Sequence, residues 1–432
     1  MTYLLLFLGV FLAIAVLRVP VYLSMASGAF VTILFAGLKL NLIGPAMFNG
    51  INSFAFLAVP AFICAGELMA HGGISTALLD FIGRIFQRVR GSLGAVVVVT
   101  SMLFGAITGS SLATISAIGG MVIPDMLKNG YGKEYTTALV AASGFLGILI
   151  PPSVPGVIFA VSANLPVLQV WLATLVPGLI LGFLYIVTNY FAFGRKQKRV
   201  TEAFHFGTYI RDIGKTTPKA AVSMLVPLII FVGVYGGIFT PTEAGAVSVL
   251  VGLIIAWGIF PACFKVRPDD SPFTIALRST LSSAGIMMII AVAHVVSEMI
   301  AYAGIASMMT NFIQSVTSSP TVFLLLVNIM LIIVGMFLET NTSILLFTPI
   351  LMPMAQSYGI NPVHFSAIVL LNLEIGMITP PFAVNLFTSC KLTGVPMNKV
   401  IRPLAPFLFC CLVTLVLVTY IPAFALFFMR FF

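Results

Sequence analysis

Apolar runs of roughly twenty residues follow one another along this chain, and each is long enough to cross the hydrocarbon core of a bilayer as a helix. Only 8% of the 432 residues are charged. Soluble domains carry about 25%, so most of this surface is not built to face water. The first run, Leu4 to Leu17, lacks a basic start and is followed by further apolar runs, so it reads as a span and not as a cleaved signal.

Ten full spans can be drawn, at about 3–17, 21–39, 54–71, 134–162, 167–193, 221–238, 243–263, 277–301, 363–389 and 403–428. Two segments, 92–127 and 320–358, fit no simple crossing. Each is an apolar stretch, a break of small polar residues, and a second apolar stretch, which reads as a re-entrant helical hairpin. With the N-terminus outside and each hairpin returning to the side it left, nineteen of the 21 Lys and Arg residues fall on the cytoplasmic side, and only Lys39 and Arg430 lie outside. Moving either hairpin across would spoil that asymmetry. The net charge of +9 is therefore explained by orientation, and no basic run interleaved with aromatics suggests nucleic acid. The five cysteines have no metal-ligand spacing and read as packing residues.

The chain also repeats itself. Glu67 to Ile74 resembles Glu298 to Ile305, and Phe81-Ile82 matches Phe312-Ile313 in the same register. Further on, Gly147 through Pro151-Pro152 matches Gly376 through Pro380-Pro381, and Pro124 and Gly130 pair with Pro353 and Gly359. The expected organisation is a first repeat over 1–194, a cytoplasmic linker over 195–220 that begins Arg-Lys-Gln-Lys-Arg, and a second repeat over 221–432. Five spans in each half is an odd number, so the second half is inverted. The expected fold is an all-α polytopic membrane protein of two inverted repeats, an architecture of secondary transporters.

Backbone that turns inside a membrane leaves polar groups that lipid cannot satisfy, so such turns survive only within protein or beside a wet cavity. The first hairpin tip carries Gly109, Ser110, Ser111 and Thr114, and the second Glu339, Thr340, Asn341, Thr342 and Ser343. Each tip has a partner break: Gly147 to Ser153 in the fourth span and Gly376 to Asn385 in the ninth. A double proline removes two backbone donors and frees carbonyls one turn earlier, and such carbonyls suit hard cations. Hydroxyls at one tip alone could serve only as helix caps. Two tips at repeat-related positions favour binding. Ser110, Ser111 and Gly147 are candidates for one Na+ site, and Thr340, Asn341, Gly376 and Thr379 for a second. Thr114, Ser153, Ser343 and Asn385 are candidates for contact with a substrate carboxylate between the tips, favoured there by the hairpin helix N-termini. Glu67, Glu243, Glu298, Glu339 and Glu374 lie within or beside apolar runs, where a charge is costly enough to be a functional candidate. Residues 75–90 and 305–316 read as amphipathic arms lying in the membrane surface.

These residues resemble the large membrane subunit of TRAP (tripartite ATP-independent periplasmic) transporters, the DctM-like family. The match covers essentially the whole chain. Its most specific pieces are Gly109 to Thr114, Gly147 to Ser153, Thr240 to Ala246, Gly335 to Ser343 and Thr379 to Asn385. The resemblance implies an elevator-type importer in the bacterial inner membrane, driven by two or more Na+ ions. It implies a small four-helix membrane subunit and a periplasmic substrate-binding protein as separate partners, and a small carboxylate solute of the C4-dicarboxylate or sialic acid type. The nearest rival is a stand-alone ion/proton antiporter or an anion symporter of related fold; an antiporter would place acids deep in the spans. No His-Glu-x-x-His, nucleophile elbow or phosphate-binding loop is present, so neither an enzyme nor an ATP-driven pump is expected.

Overall fold

The computed structural model describes residues 2–86, 91–194, 206–268 and 270–430. In chain order its helices are α1 Thr2–Val16, α2 Val21–Phe35, α3 Ile43–Ile51, α4 Ala58–His71, α5 Ile74–Phe86, α6 Ser92–Thr108, α7 Ser111–Lys128, α8 Lys133–Gly144, α9 Leu146–Leu149, α10 Val154–Ser162, α11 Val167–Asn189 and α12 Phe206–Tyr235. They continue as α13 Pro241–Leu253, α14 Pro272–Tyr302, α15 Ile305–Val316, α16 Pro320–Phe337, α17 Thr340–Ser357, α18 Pro362–Ile378, α19 Val384–Thr393 and α20 Met397–Tyr420. Both hairpins appear where the polar breaks placed them, as α6–α7 and α16–α17. Among the described residues, seven helices are individually long and apolar enough to cross a membrane, or eight if the bent α8–α10 segment is one span. Ten were drawn from the sequence. One of the seven, α16, belongs to the second hairpin and not to those ten, whereas the expected spans at α1, α2 and α18 are apolar but only 15 to 17 residues long.

Two further differences are local. The stretch after α2 contains a helix of its own, α3, which lies against α14. It is only nine residues long, too short to announce itself by periodicity. Of the linker at 195–220, residues 195–205 lie outside the described residues, as do Arg88 and Arg90 of the first arm, and the chain is helical from Phe206 onward.

Packing sorts the helices into two groups. α1, α2, α4, α12, α13 and α14 pack on one another, with α4 against both α13 and α14. The hairpins, the broken spans, α11 and α20 form the other group. Within it the halves interlock crosswise: α7 packs on α19, and α17 packs on α10. The groups meet mainly where α6 touches α4, where α17 touches α14, and through the arms α5 and α15.

Apolar faces cannot drive helix association within lipid, so close packing and interhelical hydrogen bonds carry it. Asn372 Nδ2 donates to Asn328 Oδ1 at 2.8 Å, and Asn328 Nδ2 donates to Thr419 Oγ1 at 3.0 Å, which ties α18, α16 and α20. Across the repeats, Thr137 Oγ1 donates to Thr393 Oγ1 at 2.9 Å, and Ser389 Oγ donates to the Thr137 carbonyl at 2.8 Å.

Candidate functional site

Each broken span stops at its double proline. In the first half α9 ends at Leu149, Ile150 is extended, Pro151 and Pro152 are joined by a cis peptide, and α10 starts after Ser153 on an axis bent by 49°. In the second, α18 ends at Ile378, Pro380 and Pro381 are again joined in cis, and Ala383 takes a left-handed φ of 44° before α19. The missing proline N–H groups prevent the last helical turn from closing. Part of that deficit is met locally, because the Thr379 N–H returns to the Gly376 carbonyl at 2.9 Å.

The tips are built as helix caps that differ in charge. At the first, Gly109 turns left-handed with φ 60°, and the Ser110 side chain accepts the Ala113 N–H at 3.3 Å. Thr114 Oγ1 donates back to the Ser110 carbonyl at 2.8 Å. At the second, the Glu339 carboxylate accepts the Asn341 and Thr342 N–H groups at 3.0 and 3.3 Å and the Asn341 Nδ2 at 2.8 Å. Ser343 Oγ donates to the Glu339 carbonyl at 3.1 Å, as Thr114 does to Ser110. The positive end of α17 therefore already holds a carboxylate, whereas that of α7 is capped by a neutral hydroxyl.

Glycines bring each tip down onto its break. A side chain on Gly147 would fall on the Gly105 backbone, and one on Gly376 would fall on the Gly335 backbone. Both contacts join the last turn of a hairpin's first helix to the residue four before the double proline.

Around these contacts several candidate residues meet. Ser111 Oγ donates to Asn385 Oδ1 at 3.1 Å, which joins the first tip to the second break. Asn385 is fully buried, and its Nδ2 has no partner. Thr340 Oγ1 donates to Glu374 Oε1 at 2.6 Å. Glu374 Oε2 and Asn341 Oδ1 are buried without partners. One region thus presents spare acceptors and the other a spare donor. Other candidates are committed elsewhere. The Ser110 and Ser153 hydroxyls accept cap N–H groups, Trp171 Nε1 donates to the Ser153 carbonyl at 3.1 Å, and Thr379 Oγ1 donates to the Ile375 carbonyl at 2.7 Å. Among the described residues no hydrogen bond joins Thr340 or Asn341 to Thr379, or Thr114 to Ser343.

Sequence reasoning counted Glu374 among the buried acids but did not connect it to the second tip. It also passed over Ser143 and Asn372, which lie four residues before Gly147 and Gly376. Ser143 Oγ and Asn372 Oδ1 are both buried without partners, so the repeat offset that found the glycines would have found them too. The other acids lie away from the tips and make local contacts. Glu243 closes a capping box with Thr240 through bonds of 2.8, 2.9 and 3.3 Å. Glu67 pairs with His71 at 3.4 Å, and His71 and Arg278 both reach Asp270. Glu298 pairs with His294 at 3.8 Å.

A polar cavity of about 440 Å³ lies between the two helix groups, lined by Asn49 and Ser53, by His294 and Glu298 of α14, by Asn164, and by Leu345 of α17. Leu345 is two residues past Ser343, so the cavity approaches the second tip from the side on which the outer loops are expected. Among the described residues there is no group of three His, Cys, Asp or Glu side chains that could hold a metal. Hydroxyls, amide oxygens, carbonyls and isolated carboxylates are the donor set of hard cations.

The family model described as "Tripartite ATP-independent periplasmic transporter, DctM component" matches residues 8–424. The C4-dicarboxylate TRAP transporter large permease protein DctM of Pseudomonas aeruginosa is 35% identical, covering 93% of this chain and 92% of its own. The sialic acid TRAP transporter large permease protein SiaM of Vibrio cholerae is 31% identical over 90% and 89% of the two chains. Among solved structures, the YdaH transporter of Alcanivorax borkumensis superposes with a TM-score of 0.62 over 89% of this chain and 87% of its own. At 13% identity that likeness speaks for the fold alone. This multi-pass inner-membrane protein therefore belongs to the DctM family, the large permease component of tripartite ATP-independent periplasmic transporters.

Proposed function

We propose that the chain imports small organic carboxylates by Na+ symport, receiving solute from a periplasmic binding protein and working beside a small four-helix membrane subunit. The carrying observation is the doubled construction: two hairpin tips, each lowered onto the glycine of a proline-broken helix, with unpartnered buried polar atoms beside both. In this reading residues 1–194 and 221–432 are inverted repeats. The group containing both hairpins is the part that moves, and α1, α2, α4 and α12–α14 form the scaffold.

The spare acceptors Asn341 Oδ1 and Glu374 Oε2 fit a hard cation, so Na+ would be held at the second tip by Thr340, Asn341 and Glu374 with the backbone of Gly376 and Thr379. A second Na+ would lie among Ser110, Ser111 and the Gly147 region, where Ser143 Oγ is also spare. The solute carboxylate would sit between the tips near Thr114 and Ser343. Asn385 Nδ2 supplies a donor there, and the neutral end of α7 supplies a favourable dipole. Ser153 would act indirectly, by setting the start of α10, which packs on α17. One net positive charge carried inward gains about 2.3 kcal/mol per 100 mV, which two Na+ with one monocarboxylate would collect. Relatives are named for C4-dicarboxylates, sialic acid and isethionate, which share an anionic headgroup.

Uptake should be measured in proteoliposomes carrying this chain and its small subunit, across a panel of C4-dicarboxylates, sialic acids and sulfonates with the cognate binding protein. Accumulation of one acid class, dependent on the binding protein, is expected. Accumulation without the binding protein would favour a stand-alone symporter.

A further inference from the structure

Between the second hairpin and the scaffold lies a second cavity, of about 360 Å³. Its sixteen lining residues are all apolar and come from α1, α14, α15, α16 and α17. Leu8, Phe312, Ile313, Leu326, Val327 and Phe347 are among them. No side-chain donor or acceptor faces the space. A water held there would need two to four polar partners, and these walls offer none.

The first half of the chain shows what the space would look like closed. There the arm α5 lies directly on α6 and on α12. The counterparts of these three helices are α15, α16 and α1. The arm α15 packs instead on α14 and α17, leaving α16 and α1 splayed away from it. The cavity is the gap that results. Its depth follows from the chain: α1 contributes its first two turns, α16 its first half and α17 its second half, so the gap lies at outer-leaflet depth on the expected orientation. Its rim faces the bilayer, since Phe312 is 49% and Leu326 38% exposed on the outer sides of α15 and α16.

We infer that this cavity is a binding site for one phospholipid acyl chain of the outer leaflet. The hydrophobic effect does not drive a chain out of the bilayer into it, because lipid is equally apolar. The gain is in packing: a void leaves its walls without contact partners, and a flexible hydrocarbon chain entering from the side restores them. A protein helix would need a complementary face of fixed shape, whereas a chain adapts to irregular walls of Leu, Met and Phe. If the hairpin group moves as proposed above, the chain is a compliant filler between it and the arm; the occupancy itself does not depend on that motion.

The test uses the full chain in phosphatidylcholine vesicles containing phosphatidylcholine with a diazirine in one acyl chain, with labelled residues mapped by mass spectrometry. Label is expected on Met330 and Phe347 inside the cavity as well as on Leu281, which is 66% exposed on α14 and serves as a bilayer-facing control. In Val327→Phe and, separately, Leu351→Phe, the Met330 label should be lost while Leu281 remains labelled. Loss of the Leu281 pattern marks a variant that has not folded, and the other variant then carries the test. Three outcomes overturn the proposal: an unlabelled Met330 in the wild type beside a labelled Leu281, undiminished Met330 label in both filled variants, or loss of Met330 label when the small membrane subunit is added, which would make the cavity a protein interface.

Discussion

Glu374→Gln should lower the apparent Na+ affinity of uptake by up to roughly 10³-fold, the loss expected when a full charge about 4 Å from a cation at an effective dielectric near 20 (worth ~4 kcal/mol) gives way to a neutral amide oxygen. The Glu374 side chain is fully buried, with one oxygen held by Thr340 and the other without a partner. Glutamine keeps an acceptor for Thr340, so packing and the hydrogen bond survive while the charge does not. Thr340→Val is the companion variant. It removes a neutral hydroxyl ligand together with its hydrogen bond to Glu374 but leaves the charge, and should cost at least about 1 kcal/mol, or roughly 5-fold in Na+ affinity. Initial uptake rates against Na+ concentration read both. If Glu374→Gln behaves like the wild type, the carboxyl only anchors Thr340.

The glycine contacts carry the second large effect. Gly147→Val and Gly376→Val should each abolish uptake and lower the thermal midpoint of the purified protein. In each case the new Cβ meets backbone, not a flexible side-chain end, so the tip must lift off its break. Overpacking of this kind costs about 1–3 kcal/mol, and occasionally more. The partner glycines cannot be made smaller, so no substitution at Gly105 or Gly335 should rescue. Val at Gly359 is a poor control, because its φ is 71°. Gly120→Val is a better one, since nothing lies within 4 Å of the added Cβ. Normal uptake in Gly147→Val would mean that the first tip does not bear on its break.

The hairpins and breaks were legible because their punctuation is chemical: Gly109-Ser110-Ser111 and Glu339-Thr340-Asn341 interrupt apolar runs, and Pro-Pro forbids a helix from continuing. The repeat offset then paired them. The contact between Ser111 and Asn385, 274 positions apart, was not legible, because internal repetition shows which positions of the two halves are equivalent and not which of them touch. The role of Glu339 was half legible. Its place at a tip stands out, but whether a carboxylate there faces a ligand or caps its own helix depends on side-chain geometry, and here it caps α17. The helix α3 gives no sequence signal because nine residues carry too little periodicity, and Glu243, a functional candidate by its place beside an apolar run, has with Thr240 the spacing of the capping box that it forms.

The central claim is that solute entry is coupled to Na+ through both tips. The most direct measurement follows labelled solute and radioactive sodium together into proteoliposomes loaded with this chain, its small subunit and its binding protein, in wild type, Ser111→Ala and Asn341→Ala. Sodium is expected to enter with solute in the wild type, and its activation curve should be sigmoidal. Each substitution should flatten that curve and weaken apparent Na+ affinity, while the binding protein docks as before. Solute uptake that proceeds without sodium entry, or Na+ activation unchanged in both substitutions, would contradict it.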